Sequence, residues 1–431
     1  MTATAPESPK PRRAGPRPLP LHLSTAAMTW LSSAAALPFL RSGLPVTGEP
    51  LASLAGQPWH RSLHSQVDAL LPALAAADPD SLTAAVGRQV RRRLDEFERG
   101  LTRYRKHPYR RDLSLPRAVW RDGTTHLRDY AGIEGAPEEG MPLLVVPSLV
   151  NRAYVLDLTS ERSLLRFLCR QGFRPFLVDW DRPGPHERGF DLGDYIGGRL
   201  TAMLGQVIAR TGRKPAVIGY CMGGNLALGL AQSRSADMAA LALLATPWDF
   251  HAERADLGQA TSHALTPWLP IIDAMGELPV DMLQSLFFAL DPFLGARKFR
   301  SFAKVDPDTA KAREFVALED WLNDGIPLAA KVARECILGW YGDNTPARGE
   351  WRLRGRPVKP AALKLPTFIV IPEQDRIVPP ASALALAAAM PHATLLKPPL
   401  GHIGMVVGSQ AREALWQPLS RWLDSSSGQR L

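Results

Sequence analysis

The stretch Val217-Ile218-Gly219-Tyr220-Cys221-Met222-Gly223-Gly224-Asn225 decides the fold of this chain. A β-branched run ends at Gly219, and a helical pattern extends from Leu226 to Gln232. Between them lies Gly-x-Cys-x-Gly, which is typical of a nucleophile elbow, a tight strand-to-helix turn that exposes one reactive side chain. Glycine at positions 219 and 223 fits this turn, because Cβ atoms beside the nucleophile would have no room.

The nucleophile position holds Cys221 and not a serine. The positive end of the following helix dipole lowers the pKa of a thiol placed there and favours the reactive thiolate. A purely structural role is the alternative, since most buried cysteines are inert. The strand, the glycines, the cysteine and the helix occur in the order that the elbow requires, which favours a nucleophile.

Two later residues fit the roles of base and orienting acid, which a cysteine nucleophile needs. In folds with this elbow the acid and then the histidine follow the nucleophile, on loops after later strands. Asp375 follows one predicted strand, and His402 follows the next, in a loop flanked by glycines. Glu373 is the rival carboxylate. The order predicts Cys221, Asp375 and His402 as the catalytic residues.

Acyl transfer also needs an oxyanion hole made of positioned N–H donors. One donor is normally the backbone N–H after the nucleophile, here Met222. The other should come from the loop after the first core strand, residues 147–151, where Leu149 and Val150 are the candidates.

From Met141 onward, short β-rich runs alternate with helical stretches. This alternation predicts a mostly parallel sheet flanked by helices, the α/β-hydrolase fold. We assign residues 141–246 and 345–431 to this core. Residues 247–344, rich in Leu, Phe, Trp and Pro, interrupt the alternation and predict a helical cap insertion. The predicted strands are 143–146, 175–178, 216–218, 240–244, 368–371 and 394–396, and the predicted helices are 161–171, 192–211, 222–234, 381–390 and 410–424.

The N-terminal part predicts a disordered basic tail over residues 1–20 and a mainly helical region over residues 21–140. The apolar segment Leu21–Leu40 contains several polar residues and a proline, so we expect a docking helix and not a membrane span. Basic residues ahead of it leave a cleaved signal peptide as the alternative. Residues 62–105 predict two helices broken at Asp78-Pro79-Asp80.

The composition indicates the redox compartment of the chain and the class of partner to expect. Of its 431 residues only three are cysteine, which favours a reducing compartment such as the cytoplasm. The net charge of +9 favours acidic partners, with simple solubility as the alternative. No aromatic interleaving points to nucleic acid, and no Cys/His cluster has the spacing of a metal site, so neither a nucleic-acid partner nor a metal is expected.

With these residues placed, roughly residues 100–425 of the chain resemble the polyhydroxyalkanoate (poly-3-hydroxybutyrate) synthase family. The most specific match is the Gly-Tyr-Cys-x-Gly-Gly box around Cys221. The matching landmarks are Pro142–Pro147, Asn151, Tyr154–Leu158, Gly219–Gly224, Leu318–Trp321, Asp375–Pro380 and Gly401–Gly404.

The resemblance implies an acyltransferase that polymerises (R)-3-hydroxyacyl-CoA into polyester with release of CoA. It implies Cys221 as the acylated nucleophile, His402 as the base, and Asp375 as its partner or as an activator of the incoming hydroxyl. No cofactor is implied beyond the CoA thioester substrate. The other implied partners are the growing polyester chain, a polymer granule surface in the cytoplasm, and either a second copy of the chain or a second synthase subunit.

Two departures from the family pattern keep other readings open. Arg376 stands where the family usually has histidine, and Trp340–Pro346 matches only loosely. The same elbow, acid and histidine also serve a cysteine hydrolase, such as an acyl-CoA thioesterase, a dienelactone-type hydrolase or a polyester depolymerase. A non-catalytic granule-associated protein is the third alternative.

Overall fold

A computed structural model describes residues 13–35, 37, 69, 70, 72–74, 76–252 and 255–426. The chain forms two compact units. One combines Met1–Pro108 with Asp291–Val316, and the other combines Tyr109–Leu290 with Ala317–Leu431. Residues 1–12 of the predicted tail and all of residues 38–68 lie outside the described residues.

Helices form the described part of the first unit. Helix α1 spans Leu19–Ala35 and falls on the predicted apolar segment. Helix α2 spans Pro79–Lys106 and begins at the predicted break, where the Asp78 side chain accepts a hydrogen bond from the Ser81 N–H (2.9 Å). No helix within the described ranges is long and apolar enough to cross a membrane.

A third helix of this unit, α10 (Leu294–Phe302), packs against α2 through aromatic side chains. The ring of Phe299 meets those of Phe97 (6.3 Å) and Tyr104 (5.6 Å) edge to face. The two helices approach closely because α2 has Gly100 at the contact. A Cβ atom there would overlap the carbonyl oxygen of Phe299 and lie 2.7 Å from its carbonyl carbon.

The second unit contains, within its described residues, an eight-stranded sheet in the order β1-β2-β4-β3-β5-β6-β11-β12. From β4 to β12 neighbouring strands run parallel, whereas β1 and β2 are antiparallel. This confirms the predicted fold. The strands of the sheet are Arg117–Asp122, Thr125–Asp129, Met141–Val146, Phe173–Asp179, Ala216–Tyr220, Ala240–Leu244, Thr367–Val370 and Thr394–Leu396, numbered β1 to β6, β11 and β12.

The parallel strands β3, β5, β6 and β11 are buried on both faces, which is why they are nearly continuous apolar runs. Leu144 and Val146 of β3 belong to one apolar cluster, and Leu143 and Val145 belong to the cluster on the opposite face. Helices cover both faces. Those outside the predicted cap are Leu164–Arg170, Leu192–Asp194, Thr201–Thr211, Met222–Arg234, Pro380–Ala389, Gly404–Val407 and Gln417–Ser426, numbered α3 to α6 and α13 to α15.

The hairpin β1–β2 differs from the prediction, which placed it in a mainly helical region. Its turn uses Gly123 at φ 59°, and β2 alternates buried and half-buried residues, as expected for a strand. β2 pairs with β4, with Leu127 opposite Val178, and this pairing places a hairpin in a region predicted as mainly helical.

The predicted cap, residues 247–344, is divided between the two units, since residues 291–316 belong to the first. The second unit keeps the helices on either side of them and a two-stranded ladder of β7 and β8. The ladder strands are Glu277–Leu278 and Leu328–Ala329. The helices are Ala255–Leu265, Leu269–Met275, Val280–Leu290 and Ala330–Arg334, numbered α7 to α9 and α12. Helix α11 (Ala310–Asn323) contains the point at which the chain passes from the first unit to the second. A further ladder joins β9 (Arg352–Leu353) to β10 (Arg356–Pro357).

A buried charged network fixes the segment that follows β3. The carboxylate of Asp157, 1% exposed, accepts hydrogen bonds from Ser163 Oγ (2.7 Å), Arg166 Nε (2.8 Å) and the Tyr130 hydroxyl (3.1 Å). Burial raises the pKa of Tyr130 well above its ordinary value, and the Asp157 charge adds to this effect. A buried carboxylate with several donors is compensated, so this segment keeps one conformation.

The close approach at Gly100 gives a stability test with a control in the same helix. Gly100→Ala should destabilise the first unit by about 1–3 kcal/mol, because the added methyl group overlaps backbone that cannot move aside alone. Gly87→Ala should be neutral or stabilise by up to about 1 kcal/mol, since its Cβ would meet only the end of Arg91 at 3.8 Å. Urea unfolding followed by circular dichroism measures both; equal effects of the two variants would contradict the assigned contact.

Candidate active site

The elbow holds Cys221 at the junction of β5 and α6 with φ 56° and ψ −129°. A non-glycine residue at positive φ is strained and persists only where its surroundings fix it. Here the Cys221 N–H donates to the Leu244 carbonyl oxygen (2.8 Å), and the Cys221 carbonyl oxygen accepts from the Gly224 N–H (2.8 Å). The side chain is partly exposed at the end of the sheet.

Three glycines leave no space for a side chain around this turn. A Cβ atom on Gly219 would lie 2.5 Å from the Cα of Gly224. One on Gly223 would overlap the carbonyl oxygen of Val146 at the end of β3, and one on Gly224 would overlap the hydroxyl of Thr246. The sequence pattern Gly-x-Cys-x-Gly-Gly is therefore a direct consequence of the close packing of β3, β5 and α6 at this point.

The structure brings the three predicted catalytic residues together. His402 Nδ1 and Asp375 Oδ2 are 2.6 Å apart, and both side chains are buried. The other carboxylate oxygen, Asp375 Oδ1, accepts from the N–H groups of Ile377 (2.8 Å) and Val378 (2.9 Å). Asp375 thus engages Nδ1 of the imidazole, and its own second oxygen is held by backbone N–H groups.

The electrostatics of this trio favour a charged imidazole. Burial lowers the pKa of His402, but the charge of Cys221 and the hydrogen bonds of Asp375 and Cys221 outweigh it, so the pKa stands above its ordinary value. The His402 imidazole therefore favours holding a proton beside the elbow that presents Cys221.

Tyr220 is a neighbour of the site that the sequence reasoning did not single out. Its hydroxyl donates to the carbonyl oxygen of His402 (3.3 Å), and the two rings lie 5.1 Å apart. Burial raises the pKa of Tyr220 well above its ordinary value, and the charges of Cys221 and Asp375 add to this, so the phenol stays neutral. Its position directly before the nucleophile was the available signal.

The remaining predicted positions have different surroundings. Glu373, the rival acid, is exposed, whereas Asp375 faces the histidine. Met222 opens helix α6 directly after the nucleophile. The Val150 N–H points to Ser148 Oγ at 3.4 Å, whereas the Leu149 N–H has no acceptor among the described residues. Leu149 is therefore the better candidate for the second oxyanion donor.

No group of three or more His, Cys, Asp or Glu side chains with suitable geometry occurs in the described ranges.

Comparisons with known proteins agree with this architecture. Residues 142–409 match the α/β hydrolase fold family. The poly(3-hydroxyalkanoate) polymerase subunit PhaC of Synechocystis sp. is 32% identical over 292 residues, covering 66% of this chain and 77% of the relative. The subunit of the same name from Allochromatium vinosum is 29% identical over 323 residues, covering 72% of this chain and 89% of the relative. The chain belongs to the poly(3-hydroxyalkanoate) polymerase family, within the α/β hydrolase fold.

Proposed function

We propose that this enzyme polymerises (R)-3-hydroxyacyl groups from CoA thioesters into a polyester, with Cys221 as the acylated nucleophile. The observation that carries the proposal is the buried His402–Asp375 pair, 2.6 Å apart, beside a cysteine at a nucleophile elbow. The relatives that bear the polymerase name support the choice of substrate class.

Acyl loading exchanges one thioester for another. The Cys221 thiolate attacks the thioester carbonyl carbon, and the negative charge moves to the carbonyl oxygen, where the N–H groups of Met222 and Leu149 stabilise it. The carbon–sulfur bond to CoA then breaks. The CoA thiolate takes the proton held by His402 and leaves as the free thiol.

In chain growth the acyl group moves from the Cys221 sulfur to a hydroxyl oxygen. His402 accepts the proton of a 3-hydroxyl group as that oxygen attacks the Cys221 thioester, and the Cys221 thiolate leaves. A thioester keeps enough transfer potential to form an oxygen ester, whereas a serine acyl-enzyme would be no more activated than the product. This is the chemical reason for cysteine at the elbow.

The surroundings proposed for this reaction are a cytoplasmic polymer granule and a second synthase subunit or a second copy of the chain. Apolar side chains on α8 and the turn before it support contact with an apolar product, since Trp268 and Ile271 are each 50% exposed and Met275 is 47% exposed. The word subunit in the names of the relatives supports a multi-subunit enzyme.

The test of the proposal is incubation with (R)-3-hydroxybutyryl-CoA, measuring free CoA and insoluble polymer together. The wild type should release CoA and form polymer. A parallel sample contains a purified partner subunit in addition to the enzyme. Cys221→Ala should abolish both, because it removes the atom that is acylated. CoA release with only free hydroxyacid as product would replace the polymerase by a thioesterase.

The acid and the base should be separable by their effects on the two half-reactions. His402→Gln should slow acylation by about 10²–10⁴-fold, the usual contribution of general acid–base catalysis, because no proton donor is left for the departing CoA thiolate. Asp375→Asn should reduce acylation less than chain growth, because only chain growth requires a proton to be taken from a hydroxyl group. The loop itself should stay in place, since the amide oxygen can still accept the Ile377 and Val378 N–H groups. Glu373→Gln, an exposed carboxylate in the same loop, is the matched control and should leave both rates unchanged. Rapid-quench labelling of Cys221 measures acylation separately from polymer yield.

The net charge of +9 should assist capture of the anionic CoA substrate. Raising the salt concentration should lower kcat/KM more than kcat, because exposed charges are screened within about 8 Å at 0.15 M salt. Initial rates of CoA release between low and moderate salt measure this. A kcat/KM that does not change would mean that the charge only keeps the protein soluble.

A further inference from the structure

The loop that leaves β3 runs beside the nucleophile elbow. A Cβ atom on Gly223 would lie 2.7 Å from the carbonyl carbon of Pro147, so the loop begins in contact with the turn. Leu149 is 3% exposed and lies in the same apolar cluster as Met222. Residues 147–151 are thus placed to supply the second N–H donor to the oxyanion.

Hydrogen bonds to neighbouring segments hold this loop at both ends. The Trp180 Nε1–H donates to the carbonyl oxygen of Pro147 (3.0 Å). Near the other end, the Ile326 N–H donates to the carbonyl oxygen of Val150 (3.3 Å). The stretch between these anchors is short, so a shift of either anchor moves the donor.

Arg152 is the side chain that joins these anchoring segments. Its Nη1 pairs with Asp181, which follows β4, and its Nε lies 3.5 Å from Asp324, which follows α11. Its carbonyl oxygen accepts from Trp321 Nε1–H (2.8 Å), and the Tyr154 hydroxyl donates to Asp324 (3.3 Å). One guanidinium therefore ties the end of the β3 loop to the loop after β4 and to the segment that carries Ile326.

We propose that Arg152 is a positioning residue for acyl transfer: through Asp181 and Asp324 it fixes the loop 147–151 and, with it, the oxyanion donor Leu149. This role rests on the proposed function, because it deepens the acyl-transfer mechanism at the same site. Arg152 does not touch the reacting atoms and acts only through the backbone that follows β3.

The two ion pairs of Arg152, with Asp181 and Asp324, contribute more to the position of the loop than to the stability of the fold. The side chains of Asp181 and Asp324 are 42% and 48% exposed, and partly exposed ion pairs add little to folding because water and salt screen them. A donor displaced by about 1 Å, in contrast, can cost about 100-fold in rate. Loss of Arg152 should therefore reduce catalysis while leaving the fold almost unchanged.

Arg152→Met tests this, because methionine keeps an apolar stem and removes both ion pairs. Two acyl donors are used: (R)-3-hydroxybutyryl-CoA, and p-nitrophenyl butyrate, whose acylation step does not depend on CoA recognition. With both donors kcat should fall about 10- to 100-fold. Alkylation of Cys221 by iodoacetamide, followed by peptide mass spectrometry, needs no oxyanion hole, so its rate should stay the same, as should Tm.

The matched control is Arg234→Met, which removes a similarly exposed pair with Asp237. Arg234 ends the 13-residue helix α6, about 20 Å from the elbow, so kcat should not change. Arg152→Lys, which keeps the charge but cannot reach both carboxylates in the same geometry, should have intermediate activity.

The outcomes are distinct. A kcat for Arg152→Met equal to that of Arg234→Met would overturn the positioning role. So would a parallel loss of Cys221 alkylation or a large fall in Tm. A wild type that hydrolyses p-nitrophenyl butyrate but never releases CoA would refute the proposed function alone, and the positioning role would then be judged on the ester. A wild type inactive with both donors would refute both.

Discussion

The lack of space around Cys221 is the constraint on which the rest of the site depends. A Cβ on Gly223 would overlap the end of β3, and one on Gly224 would overlap Thr246 after β6. Three neighbouring strands and the helix that follows the nucleophile therefore meet without intervening side chains. This packing keeps Cys221 at φ 56°, the backbone conformation that directs its side chain out of the sheet.

With Cys221 fixed at the end of β5, the sheet order determines where Asp375 and His402 lie. β11 follows β6 in the sheet and β12 follows β11, so the loops that carry Asp375 and His402 end on the same edge as the elbow. The Asp375 carboxylate keeps its orientation toward His402, because the N–H groups of Ile377 and Val378 hold its second oxygen. Burial of the pair strengthens the interaction that keeps the imidazole oriented.

The sequence by itself determined the local features of this protein. Gly-x-Cys-x-Gly predicted the elbow, because a turn this tight excludes side chains irrespective of the rest of the fold. All six core strands predicted from apolar runs are present, with ends shifted by at most two residues. The central ones were predictable because strands buried on both faces must be largely apolar. Chain order alone selected Asp375 and His402, and the structure places His402 Nδ1 2.6 Å from Asp375 Oδ2.

The tertiary structure alone decided which distant segments pair. The hairpin of β1 and β2 joins the sheet through β4, in a region predicted as mainly helical, because strand pairing depends on a partner that sequence periodicity does not reveal. Residues 291–316 belong to the same compact unit as the N-terminal helices, and the close approach at Gly100 that joins them is visible only in space. From the sequence alone, Arg152 likewise resembles an ordinary surface arginine. Only the tertiary structure brings its two carboxylate partners, Asp181 and Asp324, beside it. Local steric rules act between residues close in sequence, whereas these pairings are set by burial and charge across long separations.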